Sequence, residues 1–495
     1  MRDSAPSRIL ATAARAVPLL VVAAALTLLV TGAAVAEQPS GLQEMVDAKV
    51  DGPVPLSARL QSLVGIPLML GLAWLLSNNR KRIPWRVIGW GLGLQFVFAL
   101  IVLKTPPGRW FFDSLNTVAM ALLGYSTDGA RFIFGSLVDH TVTVGTPNPV
   151  DPFGPLVPAA DAAGAPMLAA TGGFFAFNVL PTIIFFSALM AVLYHLGVMQ
   201  LLVRGMGWVM FRTMGTSGAE SLSAAANIFV GQTEAPLVIK PYVDKMTMSE
   251  LNAVMTGGFA TVAGGVMAAY VGMLSGVFPD IAGHLIAASV MSAPAALVVA
   301  KIMWPEDGVP ATAGGVALDV EKPDINVVDA AARGAGEGLK LALNVGAMLL
   351  AFIALVALAN GILGAGSTWV GLESPLTLER VLGVAFWPLA WAMGVPAAEC
   401  AAVGELLGIK TILNEFVAYL RLAQVAEGLS RRSLIIVTYA LCGFANLGSV
   451  GIQLGGIGGI APQRRSDLAR LGLRAMVAGT LAAFLTANVA GALLG

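Results

Sequence analysis

The sequence predicts an all-α polytopic membrane protein, with about eight transmembrane helices and two opposed re-entrant hairpins set in an inverted repeat with broken helices. Three observations predict it. Hydrophobic residues make up 57% of the chain and charged residues 12%, against roughly 45–50% and about 25% in soluble domains. A soluble fold of 495 residues could not hide that much apolar surface, so the bilayer acts as its solvent. Stretches such as 87–103, 179–193, 341–363 and 475–494 approach or exceed the ~20 apolar residues needed to cross a bilayer. Two segments that break the apolar pattern are each followed by nearly the same words, which is the signature of a repeat.

Taken in order, residues 1–36 carry Arg2, Arg8 and Arg15, an apolar run and a small-residue exit, the grammar of a signal peptide or of an extra span. Residues 37–216 then form N-terminal spans and an external loop. The Arg80, Lys81, Arg82 and Arg86 cluster sets the cytoplasmic side, with spans expected near 60–76 and 87–103. Residues 139–166 contain three Asp and no Lys or Arg, as an external loop should. Spans are expected at 175–196, 251–274 and 281–303, and the charged stretch 304–340 is expected to be a loop carrying a surface helix. Further spans follow at 341–363 and 439–457, and the last starts after Arg464, Arg465, Arg470 and Arg474.

Segments 217–246 and 395–420 fit neither class, because both are moderately apolar yet hold Gly, Pro and carboxylates. Re-entrant hairpins fit them, since non-helical backbone at membrane depth is tolerated where it lines a cavity. The units that contain them are 217–340 and 341–495. The second hairpin is placed outside although Lys410, Arg421, Arg431 and Arg432 flank it, which runs against the charge rule. Each hairpin leads into a Gly-interrupted helix: Gly258-Phe259-Ala260-Thr261 in one unit, Gly443-Phe444-Ala445-Asn446 in the other. Glu234 precedes Phe259 by 25 positions and Glu415 precedes Phe444 by 29. Inverted repeats of this kind point to a binding site at the bilayer midplane.

An ionisable group at that depth costs at least ~2.5–3.5 kcal/mol unless paired or hydrated, so Glu234 and Glu415 are functional candidates. The competing reading pairs them structurally with Lys240 or Lys410. Gln232, Thr233, Asn446 and Ser449 favour the functional one, because they add hydrogen-bonding groups that an ion pair would not require. A net charge of zero argues against nucleic acid as a partner. Cys400 and Cys442 lack metal-ligand spacing, and His140, His195 and His284 form no HExxH pair. No Ser or Cys has a base at suggestive spacing, which argues against an intramembrane hydrolase. Two asymmetric polar tips argue against a channel.

The run Gly231 to Tyr242 (GQTEAPLVIKPY), the pattern Gly408-x-Lys410-x3-NEFVAY and the run Gly443 to Gly458 (GFANLGSVGIQLGGIG) resemble the signatures of concentrative nucleoside transporters. The resemblance implies a sodium-coupled nucleoside importer of the plasma membrane, without enzymatic activity or cofactor, assembled as a homotrimer. It implies that Gln232, Thr233, Glu234 and Val266 hold the nucleobase, partly through water. Glu415, Asn446 and Ser449 would hydrogen-bond the ribose, with Phe444 packed beside them. The sodium site implied by the resemblance falls on Asn227, Val230, Thr261 and Val262, mainly through carbonyl oxygens. Gly231 stands where relatives carry Gly or Ser, so room for a purine is expected. Proton coupling, found in other members, is the alternative, and Thr261 fits either ion.

Overall fold

The computed structural model describes residues 54–139, 174–314, 324–371 and 375–494, with short stretches between 140 and 173. The leader reading of residues 1–36, and His140, lie outside the described residues. The described chain is almost entirely helical. Its strands are two small antiparallel pairs, Thr141–Thr143 with Leu168–Ala170 and Gly145–Thr146 with Val157–Pro158, in and just after the segment 139–166 read as an external loop.

The N-terminal scaffold comprises α1 (Leu56–Leu75), α2 (Trp85–Lys104) and α3 (Pro106–Phe134). The sequence reading does not foresee α3, because its charged and amphipathic sequence matches no span. Local chemistry specifies it: Pro106 and Pro107 open the helix, Thr105 Oγ1 accepts the Gly108 N–H at 3.1 Å, and Gly135 closes it at φ +57°.

The first repeat runs α4 (Leu180–His195), α5 (Val198–Met214) and α6 (Gly218–Ala226). A tip of turns then leads through Ala235–Ile239 and Lys240–Val243 to α7 (Met248–Ala260), α8 (Gly264–Leu274) and α9 (Ile281–Met303). The second repeat runs α10 (Val327–Trp369), α11 (Leu378–Ala392), α12 (Cys400–Ile412), α13 (Glu415–Val425), α14 (Arg431–Leu441), α15 (Leu447–Ile460) and α16 (Arg465–Leu493). Among the described residues, seven helical segments are long and apolar enough to cross a membrane. The span expected at 439–457 is interrupted instead, as α14 ends at Leu441 and α15 begins at Leu447.

Two further boundaries need correction. The expected loop 304–340 already becomes helical at Val327, and α10 continues without a break for 43 residues. At 1.5 Å per residue it measures about 65 Å, about twice the hydrocarbon thickness. Its polar first turns therefore project beyond the apolar core. Asp324 pairs with Arg333 there through two bonds of 2.6 and 2.9 Å, which hold the Asp324 carboxyl below its usual range. Farther along, Gly334 and Gly338 let α10 lie against α4: a Cβ at Gly338 would meet the Ile184 Cα at 2.8 Å. The second boundary is α11, which packs along α12 and stands to it as α5 stands to α6.

The two repeats share one construction. In the first, Ser217 and Glu220 form a capping box on α6, and Thr247 and Glu250 form one on α7. The Ser217 hydroxyl donates to Glu250 Oε1 at 2.6 Å, which ties the two helix starts together. The buried ammonium of Lys301 on α9 sits 2.7 Å from Glu220 and 3.0 Å from Glu306. In the second repeat, the Ser430 N–H and hydroxyl both donate to Glu399, at 3.1 and 3.0 Å, and tie the starts of α12 and α14. Gly443 lies where the two chain breaks cross. Its φ is +132°, and a Cβ there would stand 2.6 Å from the Phe259 carbonyl oxygen, so only glycine fits.

The structure also accounts for the bases flanking the second hairpin. Lys410 donates to the Ala440 carbonyl, Arg421 to Glu405, Arg431 to Asp280, and Arg432 to the Gly394 and Ala58 carbonyls and Ser62. Lys410 and Arg432 are buried and so are not the free loop charges that the orientation rule counts, whereas Arg421 and Arg431 stay exposed in their ion pairs.

Candidate functional site

Both hairpin tips and both chain breaks open onto one cavity of about 160 Å³. Gln232, Thr233, Glu234, Val266, Glu415, Phe444, Asn446 and Ser449, the substrate residues expected from the sequence, all line it. Residues more than 200 positions apart meet there, as the contact between Gln232 and Ser449 shows.

Glu415 is the first residue of α13, with a side chain that is buried beside the cavity. The Tyr270 hydroxyl of α8 donates to Glu415 Oε1 at 2.9 Å, and the Asn446 amide donates to Oε2 at 3.0 Å. Asn446 is itself held, because its Oδ1 caps α15 by accepting the Ser449 N–H at 2.8 Å. A carboxylate has about four lone-pair positions, and two are taken by these donors. The Glu415 backbone N–H is a further donor, and some acceptor capacity remains on this cavity-lining carboxylate. Lys410 does not pair with Glu415, since its ammonium is committed to the Ala440 carbonyl at 2.7 Å.

Across the cavity, the tip of the first hairpin folds on itself: the Gly231 N–H donates to Glu234 Oε2 at 2.7 Å. The carboxylate of Glu234 thus caps its own turn and lines the cavity at the same time. Lys240 does not pair with Glu234 among the ion pairs of the described residues. Gln453 donates from one amide nitrogen to the Met255 carbonyl at 3.1 Å and to Gln232 Oε1 at 3.0 Å. The Gln232 oxygen is therefore the acceptor, and its Nε2 reaches Ser449 Oγ at 3.2 Å. That bridge joins the first hairpin to the second broken helix.

Sequence reasoning missed the apolar wall. Leu341, Val345, Leu349 and Phe352 from α10 line the cavity, with Leu413, Phe416 and Ile452. Their spacing of three or four residues on α10 is the usual helical stripe, which sequence alone assigns equally well to lipid or to packing.

The four expected cation residues gather at a different point, where two helix ends converge. Asn227 follows the last residue of α6, and Thr261 and Val262 follow the last residue of α7. Asn227, Thr261 and Val262 are buried, and Asn227 lies against Gly257 of α7. The Ile228 carbonyl accepts from Ser289 and the Phe229 carbonyl from the Gly264 N–H. The carbonyls of Asn227, Val230, Thr261 and Val262 accept no such bond among the described residues. Asn227 Oδ1 is also buried without a donor. Two helix C-termini and unsatisfied oxygens create negative potential and hard ligands together, the donor set that suits an alkali cation. Among the described residues no cluster of three or more His, Cys, Asp or Glu offers a transition-metal site.

Comparison with known proteins agrees with this architecture. Residues 284–491 match the family model "Na+ dependent nucleoside transporter C-terminus", residues 64–137 its N-terminal counterpart, and residues 176–276 the model "Nucleoside recognition". The chain is 44% identical to an uncharacterized transporter of Haemophilus influenzae over 88% of its own length and 98% of that protein. It is 41% identical to solute carrier family 28 member 3 of Mus musculus and 40% identical to sodium/nucleoside cotransporter 1 of Rattus norvegicus. In both comparisons 88% of this chain is covered, which spans 59% and 64% of those longer proteins. The solved structure of CNTnw in an inward-facing substrate-bound state superposes with a TM-score of 0.76 at 43% identity, covering 88% of this chain and 97% of that one. The relatives named are transporters or solute carriers, and this chain, with its several apolar membrane-length helices, is likewise a multi-pass transporter of the plasma membrane and not an enzyme. On the family models, the full-length bacterial relative and the structural match, the chain belongs to the concentrative nucleoside transporter family.

Proposed function

We propose that the chain is a secondary active symporter that imports nucleosides, uridine and related pyrimidine and purine nucleosides among them, driven by sodium. The observation that carries this reading is the Glu415 carboxylate at the cavity wall, held by two side-chain donors and left with some acceptor capacity. An ionised carboxylate accepts both protons of a vicinal diol, which is the feature that separates a ribonucleoside from a free base. Asn446 and Ser449 extend the grip on the ribose, with Phe444 against the sugar. Gln232, Thr233, Glu234 and Val266 take the base, and the α10 wall supplies an apolar face for its ring. Sodium occupies the convergence of α6 and α7, on the oxygens of Asn227, Val230, Thr261 and Val262. The protein works as a homotrimer with one independent site in each protomer.

The test is uptake of a nucleoside panel into proteoliposomes with sodium, potassium or pH gradients, at zero and inside-negative potential. The substrate is neutral, so each sodium carries net charge. One charge crossing 100 mV releases ~2.3 kcal/mol, enough for roughly a 40- to 50-fold nucleoside gradient. Sodium-dependent uptake that rises with inside-negative potential is expected. Uptake that follows the pH gradient and ignores sodium moves the protein to proton coupling, and indifference to both removes the coupling mechanism.

A further inference from the structure

The two repeats can be laid over one another by their helix starts, which differ by 182 positions for α6 and α12 and by 183 for α7 and α14, although the helix ends do not keep this offset and Lys410 lies in the last turn of α12 where Asn227 follows the end of α6. The N-caps Thr247 of α7 and Ser430 of α14 lie 183 positions apart. With the same offset, Asn227 corresponds to Lys410 and Gly257 corresponds to Ala440. The contacts correspond as well. Asn227 lies against Gly257 in the first repeat, and Lys410 donates 2.7 Å to the Ala440 carbonyl in the second. In each repeat, therefore, two short helices are tied at their starts and converge at their C-terminal ends. In the first repeat the convergence holds a buried Asn227 oxygen without a donor. In the second it holds a fully buried ammonium.

Both convergences concentrate negative potential from helix ends. We propose that Lys410 is a tethered cation, filling in the second repeat the place that sodium takes in the first, so that one external cation suffices where the fold provides two equivalent sites. Lys410 is then a positioning residue, which holds α12 against α14 and so fixes Glu415, five residues on, at the cavity. The inference rests on the sodium reading of the first site. It explains why a lysine, seldom fully buried unless paired, is buried here on a carbonyl with no carboxylate in ion-pair contact among the described residues, Glu415 acting on it only from farther off. A side chain that served packing alone would not need the charge.

The experiment compares the intact protein with Lys410→Asn, which installs the first repeat's residue, and with Lys410→Met, which keeps bulk without charge. Uridine uptake and the charge moved per uridine are measured against sodium concentration, and thermal unfolding in detergent is followed in sodium and in choline. For the intact protein the sodium activation curve is hyperbolic, with about one charge per uridine. Lys410→Asn should show a Hill coefficient rising from about one toward two, with about two charges per uridine. It should also gain more thermal stability from sodium than the intact protein does, and Lys410→Met should gain no more than the intact protein. If Lys410→Asn gains nothing extra from sodium, whether it folds or not, the proposal is overturned. The sodium reading fails separately: an intact protein indifferent to sodium, beside a Lys410→Asn variant that has become cation-dependent, would keep the tethered cation and discard sodium at the first site.

Discussion

Replacing Glu415 by Gln keeps the shape of the side chain and removes its charge, and the surrounding geometry sets what that costs. Tyr270 and Asn446 both donate to the carboxylate, at 2.9 and 3.0 Å. A glutamine presents one acceptor and one donor group, so one of these partners would face an N–H₂ instead of an oxygen. The remaining oxygen has less capacity for a diol, and its hydrogen bonds lose the charge assistance. Hydrogen bonds to charged groups are worth about 1.5–3 kcal/mol, and about 1.4 kcal/mol is a factor of ten. Uridine affinity should therefore fall roughly 10- to 100-fold. The assay is uridine and 3′-deoxyuridine binding to the purified protein, combined as a double-mutant cycle in which the substrate provides the second change. The deoxy analogue should lose much less than uridine, because it has already lost one of the donors. Equal losses for the two ligands would show that Glu415 holds the protein together and does not grip the ribose.

Two more substitutions probe the first hairpin. A Cβ at Gly231 would stand 3.2 Å from Glu234 Oε2 and 3.7 Å from the Ala263 Cβ, so Gly231→Ser should crowd the base side and penalise adenosine more than uridine in competition uptake. Asn227→Ala removes the buried oxygen without a donor, and should raise the sodium concentration for half-maximal uptake about tenfold, the effect of losing roughly 1.4 kcal/mol, while saturating sodium restores uridine affinity. An unchanged sodium requirement would remove Asn227 from the cation site.

What the sequence made legible was the chemistry that interrupts apolar pattern. Glu234 and Glu415 stand out because a carboxylate in an apolar segment is costly, and the Gly-Phe-Ala words locate the helix breaks because few residues tolerate them. Gly443 shows the reason, since its positive φ and its approach to Phe259 exclude any side chain. What stayed hidden was the pairing of faces. Leu341, Val345, Leu349 and Phe352 line the cavity, yet the same stripe on α10 would serve equally well against lipid. The amphipathic α3 and the junction of loop and span in α10 escaped for a related reason: polarity suppresses a hydropathy signal even where capping and tertiary contacts sustain the helix. The four bases around the second hairpin misled for the opposite reason, because their partners are not readable from the sequence: one lies within the hairpin itself, Glu405 for Arg421, and others as far off as Asp280 is from Arg431.

On the proposed sodium and base sites, coupling between the two follows from how the tip of the first hairpin is pinned. Carbonyls at Ile228 and Phe229 are fixed by Ser289 and Gly264, whereas those at Asn227 and Val230, on either side, have no donor among the described residues. A cation drawn to the outer pair would close the turn across the fixed pair and draw in Thr261 and Val262 from the end of α7. Gly231 follows directly, with its N–H on Glu234, and Gln232 is next, bridged to Ser449. Ordering the cation turn therefore orders the residues that present the base-binding face, without any long-range movement. The converse must hold: a ligand that fixes Gln232 and Thr233 lowers the cost of ordering the carbonyls of Asn227 and Val230. Allosteric coupling energies of this kind are typically about 1–3 kcal/mol, or roughly 5- to 150-fold in affinity. Because the coupling is reciprocal, the factor by which sodium tightens uridine must equal the factor by which uridine tightens sodium.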